Sequence, residues 1–483
     1  MSTPRHALVA SPSIPEFVAN LTFCELPDDV RMLGKMLLLD TLACLSEGAK
    51  VEKAASIQKL STQFGGVRKA LMYGLDYPVP LGQAAYANAR LANLLDFDET
   101  YPTGVHFGIA AVVAALCGAE AISAKPADLL LAIICGYEAG ARIASSIGTM
   151  ATLQGDGLRY APTWGVAAPV VVAAGVAYAK ILNLSSAQLN QALGISVTNI
   201  PLPIGRKWSS STALPDVKYD DAGWCTIAGI HGVEAVLCGT TGYDDLLDEP
   251  AAFLDANGSI SPRAHLLTQG LGNEWLMREI SFKPWPCCRF MHTALSALSE
   301  QIRTSFIEEQ RVRFVNLLVN SLSCGRRFMN SRPQTFIDYQ FSYPHAAAML
   351  IMGVPPGASW FAPEYRSGNR IDHFRDLVNV SPLPSDPAAL FGEYGHIRSL
   401  PAQVDIELTN GERLRGSAMQ AAGDPWCANT AFSFADVVAK FNGVTGDRPC
   451  SSLPEWCATI EKAPNLLPLF QFLTNGLVQS PHE

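Results

Sequence analysis

The chain is short of charge. Asp, Glu, Lys and Arg make up 16% of its 483 residues, against about a quarter in an average globular protein. Polyelectrolyte tails are therefore excluded, and long disordered stretches are not expected. Basic residues are the scarcer sign, 35 against 44 acidic, for a formal net charge of −9 and a pI near 5.5. Such a surface is repelled by phosphate backbones, which argues against nucleic acid as a partner. A local cluster of Lys, Arg and His still leaves room for a small anionic ligand. Also missing are any CxxC pair, internal repeat or low-complexity tract. Without CxxC, the twelve cysteines read as small core residues in a reducing compartment, the cytoplasm; the adjacent Cys287-Cys288 reads first the same way and second as a catalytic or metal-binding thiolate. Residues 1–15 hold no apolar stretch leading to a cleavage site, so no signal peptide is expected. The longest apolar run, residues 161–184, is broken by Trp164-Gly165, Pro169 and Gly175. It reads as a buried helix, and no membrane association is expected.

What is present is apolar and periodic. Hydrophobic residues reach 48%, enough for a large core in a chain whose length suits two or three domains. From residue 14 to about 254 the pattern is helical, with Ala and Leu at helix spacing over 30–45, 83–96, 109–122, 127–147, 186–198 and 223–239. Gly65-Gly66, Tyr101-Pro102, Lys125-Pro126 and Pro201-Leu202-Pro203 punctuate it. Near Ile280 the character changes. Residues 311–321 read as a strand, and 402–419 as a hairpin turning at Asn410-Gly411 through a type I′ turn. Helices are expected between them at 293–304, 345–351 and 370–378. After Asp424-Pro425, helices return at 433–441 and 453–462. The expected fold is mostly α: a helical domain over 1–278, an inserted α+β lid domain over 279–424, and C-terminal helices over 425–483 that rejoin the first domain.

Three places carry residues suited to chemistry. Asp96-Phe97-Asp98-Glu99-Thr100 ends a helix and enters a Pro/Gly loop that leads to His106. Carboxylates, a hydroxyl and an imidazole are thus within reach of one pocket, a set that can hold an acid and move protons. The same residues also read as a solvated helix end with an ordinary histidine, and Asp96 with Asp98 admits a metal reading. Lys218 lies five residues before Gly223, where a cation beside a helix's positive end favours a bound carboxylate; Arg206 and Lys207 are nearby basic alternatives. Lys283, Arg289 and His292 fall where the helical and mixed regions meet, the usual place for a cleft, although His292 equally suits bracing a helix.

Several segments, in order and spacing, resemble the MmgE/PrpD family over nearly the whole chain. They are Leu38-Leu39-Asp40-Thr41-Leu42, residues 88–100 (NARLANLLDFDET), Gly136-Tyr137-Glu138 with Arg142, residues 282–288 with His292 (FKPWPCCRFMH), Arg332-Pro333 and the 402–419 hairpin. Members of that family include dehydratases, decarboxylases and epimerases of small polycarboxylates. The resemblance implies an enzyme without cofactor or metal, a homodimer joined through the helical domain, and a small carboxylate as substrate. It also implies Asp96, Thr100, His106, Lys218 and Lys283 as catalytic residues. The chain departs from the pattern twice. Where the family has a histidine in G-F-H-P-T, this chain reads Arg159-Tyr160-Ala161-Pro162-Thr163, and alanine transfers no proton. Where decarboxylases carry a lid tyrosine, this chain has Met329. Arg159 and Tyr160 are the candidates to stand in, and with Lys207, Arg289 and His292 they complete the expected substrate-binding set. A lyase is the first reading, an epimerase the second. An inactive homologue kept as a binding protein is the third, motivated by Ala161 and Met329.

Overall fold

The computed structural model describes residues 12–218, 220–244, 246–384, 386–446 and 452–475. Residues 1–11, most of the segment read for a signal peptide, and Cys450 lie outside them. The fold is mostly helical, with short strands. Helix Ala167–Ile181 is the axis of the body. Every residue of it except Lys180 is buried, and helices Gly108–Ile122, Pro126–Ile147, Ser186–Val197 and Ala222–Leu237 pack around it. A helix enclosed on all sides cannot be amphipathic, which explains Ala, Val and Gly on more than one face. Small residues also set the spacing: a Cβ on Gly229 would lie 2.4 Å from the Val171 carbonyl oxygen and 2.6 Å from the Gly175 nitrogen. The apolar run at 161–184 is helical only from Ala167. Its first residues leave a hairpin, and the Trp164 carbonyl bonds the Gly205 N–H instead. Helix Pro126–Ile147 is long and apolar enough to cross a bilayer by length and composition, and its apolar window is wholly buried inside the protein.

The strand and hairpin expected after residue 311 form one four-stranded sheet, ordered Val378–Pro382, Val312–Val319, Ala402–Leu408, Arg413–Ala418. The first pair is parallel and the others antiparallel. Helix His292–Thr304 covers the hairpin strands, and helix Tyr343–Ile351 packs on Val378–Pro382. Two details differ from expectation. The turn is not type I′, which needs positive φ at both central residues; only Gly411 has it, at 86°. The Gly411 N–H bonds the Leu408 carbonyl and the Leu408 N–H bonds that of Glu412, the pattern of a three-residue loop with glycine in the left-handed position. Residues 370–378 also stop being helical at Asp376 and turn into the parallel strand.

Helix Phe434–Thr445 starts at a reciprocal Ser433/Asp436 cap and packs along helix Asp28–Gly48, as does helix Leu453–Ala458. The C-terminal segment thus lies against the N-terminal part of the helical body. Gly229→Ala is expected to lower stability by roughly 2 kcal/mol through overpacking. Gly443→Ala, in helix Phe434–Thr445 with open space around its Cβ, is expected to raise it by about 0.5–1 kcal/mol. Urea midpoints of the two variants decide; equal midpoints would contradict the close contact at Gly229.

Candidate active site

Helix Leu81–Asn93 ends three residues sooner than its apolar pattern suggests, because Asp96 takes φ 54°. A helix end leaves carbonyl oxygens without partners, and here side chains from far along the chain supply them. Lys218 Nζ donates to the Asn93 oxygen at 2.9 Å, Gln340 Nε2 to Leu94 at 2.8 Å and Lys283 Nζ to Asp96 at 2.5 Å. Lys440 Nζ donates to Phe97 at 2.7 Å, and His106 Nδ1 to Glu99 at 2.6 Å. Cations at a helix C-terminus also complement its dipole. Lys283 is brought there by a two-residue bridge in which Thr100 and Ser281 exchange both backbone hydrogen bonds.

The Asp96 carboxylate is the centre of this arrangement. Its Oδ1 lies 3.2 Å from Lys283 Nζ, 3.5 Å from Lys218 Nζ and 3.5 Å from His106 Nε2. Asp96, Lys218 and Lys283 are each 2% exposed or less. Burial by itself raises the Asp96 carboxyl, but Lys218 and Lys283 outweigh it and hold the group well below the usual carboxylate range. The two lysines respond in opposite directions. Burial dominates at Lys218 and lowers its ammonium; at Lys283 the closer Asp96, with Asp98, overcomes burial and raises it. Burial followed by Lys283 lowers His106, so its imidazole is neutral near pH 7. A carbonyl oxygen only accepts, so the bond to Glu99 puts the proton on Nδ1 and leaves the lone pair on Nε2. Asp98 lies 3.6 Å from Nδ1 and accepts from Asn93 Nδ2 at 3.0 Å. The Glu99 carboxyl, raised well above its usual range by burial, caps helix Gly108–Ile122 by accepting from the Phe107 and Gly108 N–H groups.

Asp96, Asp98 and His106 each offer a ligand atom within 4.8 Å of the others, a spacing that suits a divalent ion. Two ammoniums already stand against Asp96, and a dication there would face both at close range. The donor set therefore suits cationic residues and an anionic ligand better than a metal.

The structure thus gathers Asp96, His106, Lys218 and Lys283, with Thr100 in the adjoining bridge. It places the other expected residues elsewhere. Arg159 and Tyr160 are exposed on strand Gly157–Tyr160, which pairs with Ala151–Gln154 in a hairpin absent from the sequence reading. Lys207 is exposed on helix Gly205–Ser209. Arg289 is buried and pairs through two nitrogens with Asp424, which also accepts from Ser281. His292 is buried, bonded to the Cys287 carbonyl, and burial keeps it neutral. The expected carboxylate site at the helix opening at Ala222 is filled by the protein itself: Asp221 accepts from Gly223 N and Trp224 N, while Lys218 turns away to Asp96. Asn88 is structural, pinning the chain at Leu71 and Tyr73. The sequence did not single out Gln340, Lys440 or Asp40 as site residues, although Asp40 lies in the family-like segment at 38–42. Only Asp40 carried a signal, as an acid inside an otherwise apolar helical stretch.

A buried acid–base cluster at the broken end of a helix, in a mostly helical body with one mixed sheet, defines the class of protein. The chain belongs to the MmgE/PrpD family, whose N-terminal domain model matches residues 13–262. Among curated relatives, the cis-aconitate decarboxylase of Aspergillus terreus is 24% identical, covering 97% of this chain and 96% of its own length. The human cis-aconitate decarboxylase is 25% identical, covering 68% and 67%.

Asp96→Asn leaves Lys218 and Lys283 buried without their anion. A loss of roughly 3 kcal/mol in unfolding free energy at neutral pH is expected. It should shrink as pH rises toward that of free lysine, because buried unpaired ammoniums give up protons that the unfolded chain still binds, and stability rises with pH wherever the unfolded state holds more protons. Urea midpoints across that range test this; a variant as stable as the parent would contradict the pairing.

Proposed function

We propose that this chain is a lyase that decarboxylates a small unsaturated or hydroxylated di- or tricarboxylate without a cofactor, with cis-aconitate the first substrate to try. The observation that carries the reading is the buried cluster in which two ammoniums and a neutral imidazole converge on the Asp96 carboxylate. Loss of CO2 leaves an electron pair on carbon, which must spread into a neighbouring carboxylate and then take a proton. Lys283, held charged by Asp96, suits holding that carboxylate and its developing charge. Lys218, acidified by burial, suits delivering the proton to carbon. His106 Nε2, which carries the lone pair, suits taking a proton from substrate, and Lys218 regains its own from water after turnover. The names of the relatives support decarboxylation; Ala161 and Met329 leave room for another acid as substrate.

An acid and a base on one site also serve epimerisation, and the pairing of neutral His106 with acidified Lys218 favours it as the second reading. Incubation with di- and tricarboxylates in D2O, followed by NMR, separates the two. Decarboxylation gives a shortened skeleton bearing deuterium; epimerisation gives exchange with the skeleton kept. No turnover, with no heat of binding for any of these acids, would support an inactive homologue and sink both. For the active protein, kcat/KM should rise with pH through a value below 6.5, as His106 loses its proton, and fall through one below 10.5, as Lys218 does. His106→Gln should cut kcat by at least about a hundredfold and remove the acid limb; an unchanged limb would take His106 out of the reaction.

The proposal includes a homodimer and a lid over residues 279–424. The surface supports the former: Leu60, Leu202, Ile204, Val217 and Trp224 are all more than 40% exposed and line one groove with Phe64 and Tyr86. An apolar patch of that kind suits burial against a second subunit. Light scattering is expected to give about twice the 51.9 kDa chain mass; the single-chain mass would defeat the dimer.

A further inference from the structure

Lys440 lies far from the sequence motifs, on helix Phe434–Thr445, yet its ammonium reaches the loop that carries Asp96. Nζ donates to the Phe97 carbonyl and to Asp40 Oδ1, both at 2.7 Å, and stands 3.8 Å from the centre of the Phe97 ring. The Lys440 side chain is 5% exposed and that of Asp40 1%. Asp40 belongs to helix Asp28–Gly48, so three separate segments meet at one ammonium. A buried ion pair is a poor stabiliser, since apolar residues of similar size do as well or better. What an apolar residue could not do is hold the Phe97 oxygen.

That oxygen matters because of its neighbour. Asp96 takes a left-handed conformation, which aspartate reaches more readily than most residues but still at a cost its surroundings must offset. Lys283 holds the carbonyl of Asp96 and Lys440 that of Phe97, so the two peptide planes following this residue are fixed by two lysines from separate segments. The direction of the Asp96 carboxylate depends on those planes, and so does its approach to Lys218, Lys283 and His106.

We propose that Lys440 is a positioning residue for the candidate active site, acting through the Phe97 carbonyl to aim the Asp96 carboxylate. It touches neither substrate nor reacting atoms. The turnover readout rests on the lyase reading; the spectroscopic one does not.

The test compares Lys440→Met, which removes the donor, with Lys440→Gln, whose amide can still donate to Phe97, using cis-aconitate as substrate. In Lys440→Met kcat is expected to fall at least about tenfold with KM nearly unchanged, because Lys218 and Lys283 remain. Lys440→Gln should recover most of the loss. The His106 imidazole, followed by nitrogen NMR, should lose its single Nδ1–H form in Lys440→Met and keep it in Lys440→Gln. A Lys440→Met protein that keeps kcat and the His106 signal but melts lower would overturn the proposal and leave Lys440 a purely structural residue. If the parent does not turn over cis-aconitate, the reaction reading fails while the His106 signal still decides the role of Lys440. Should Lys440→Met not fold, the double variant with Asp40→Asn, which removes the unpaired carboxylate, takes its place with the same outcomes.

Discussion

One buried carboxylate constrains much of this molecule. Asp96 is almost fully withdrawn from water and ionised, and an isolated ion in that position would cost far more than a domain's whole stability. Ammoniums must therefore be brought to it, and each must come from chain far away in sequence: Lys218 before helix Ala222–Leu237, Lys283 after the bridge to Thr100. The loop beneath obeys the same rule. Its carbonyls, freed by the early end of helix Leu81–Asn93, are taken up by side chains at positions 106, 218, 283, 340 and 440. The convergence of distant segments on this point follows from satisfying a handful of polar atoms away from solvent.

The two lysines show how one carboxylate gives two cations different characters. Both are buried and both face the same oxygen. The closer contact tips Lys283 toward permanent charge, while Lys218, slightly farther out, keeps the net penalty of burial. In the proposed reaction this separates an anchor from a proton source without any change of residue type.

Much of this was legible in the sequence where the cause is local. Long apolar periodic segments gave the central helices, and β-branched alternation with Asn410-Gly411 marked the hairpin. Asp96, His106, Lys218 and Lys283 were legible through family spacing, since a lysine in a loop carries no sign of where it will point. Features decided by tertiary contact were not legible. Val378–Pro382 is a short parallel strand directly after a helix, and its Val-Asn-Val-Ser alternation is too brief to separate it from the helical stretch before it. Arg289 looked like a ligand-binding cation because of its place beside Lys283, but Asp424, 135 residues on, claims it. Lys440 sits in a helix amphipathic enough to read as a solvated surface lysine, and only the packing of Phe434–Thr445 against Asp28–Gly48 turns it inward.

The bond from Lys440 to Phe97 spans 343 positions. During synthesis the loop leaves the ribosome long before the side chain that secures its carbonyl exists. The nascent helical body must wait, with its Asp28–Gly48 helix still uncovered where Phe434–Thr445 will lie. Contacts of such separation close late and leave apolar surface exposed meanwhile. The loop that gathers the motif residues is thus secured by a contact that closes late, however early its own residues are made.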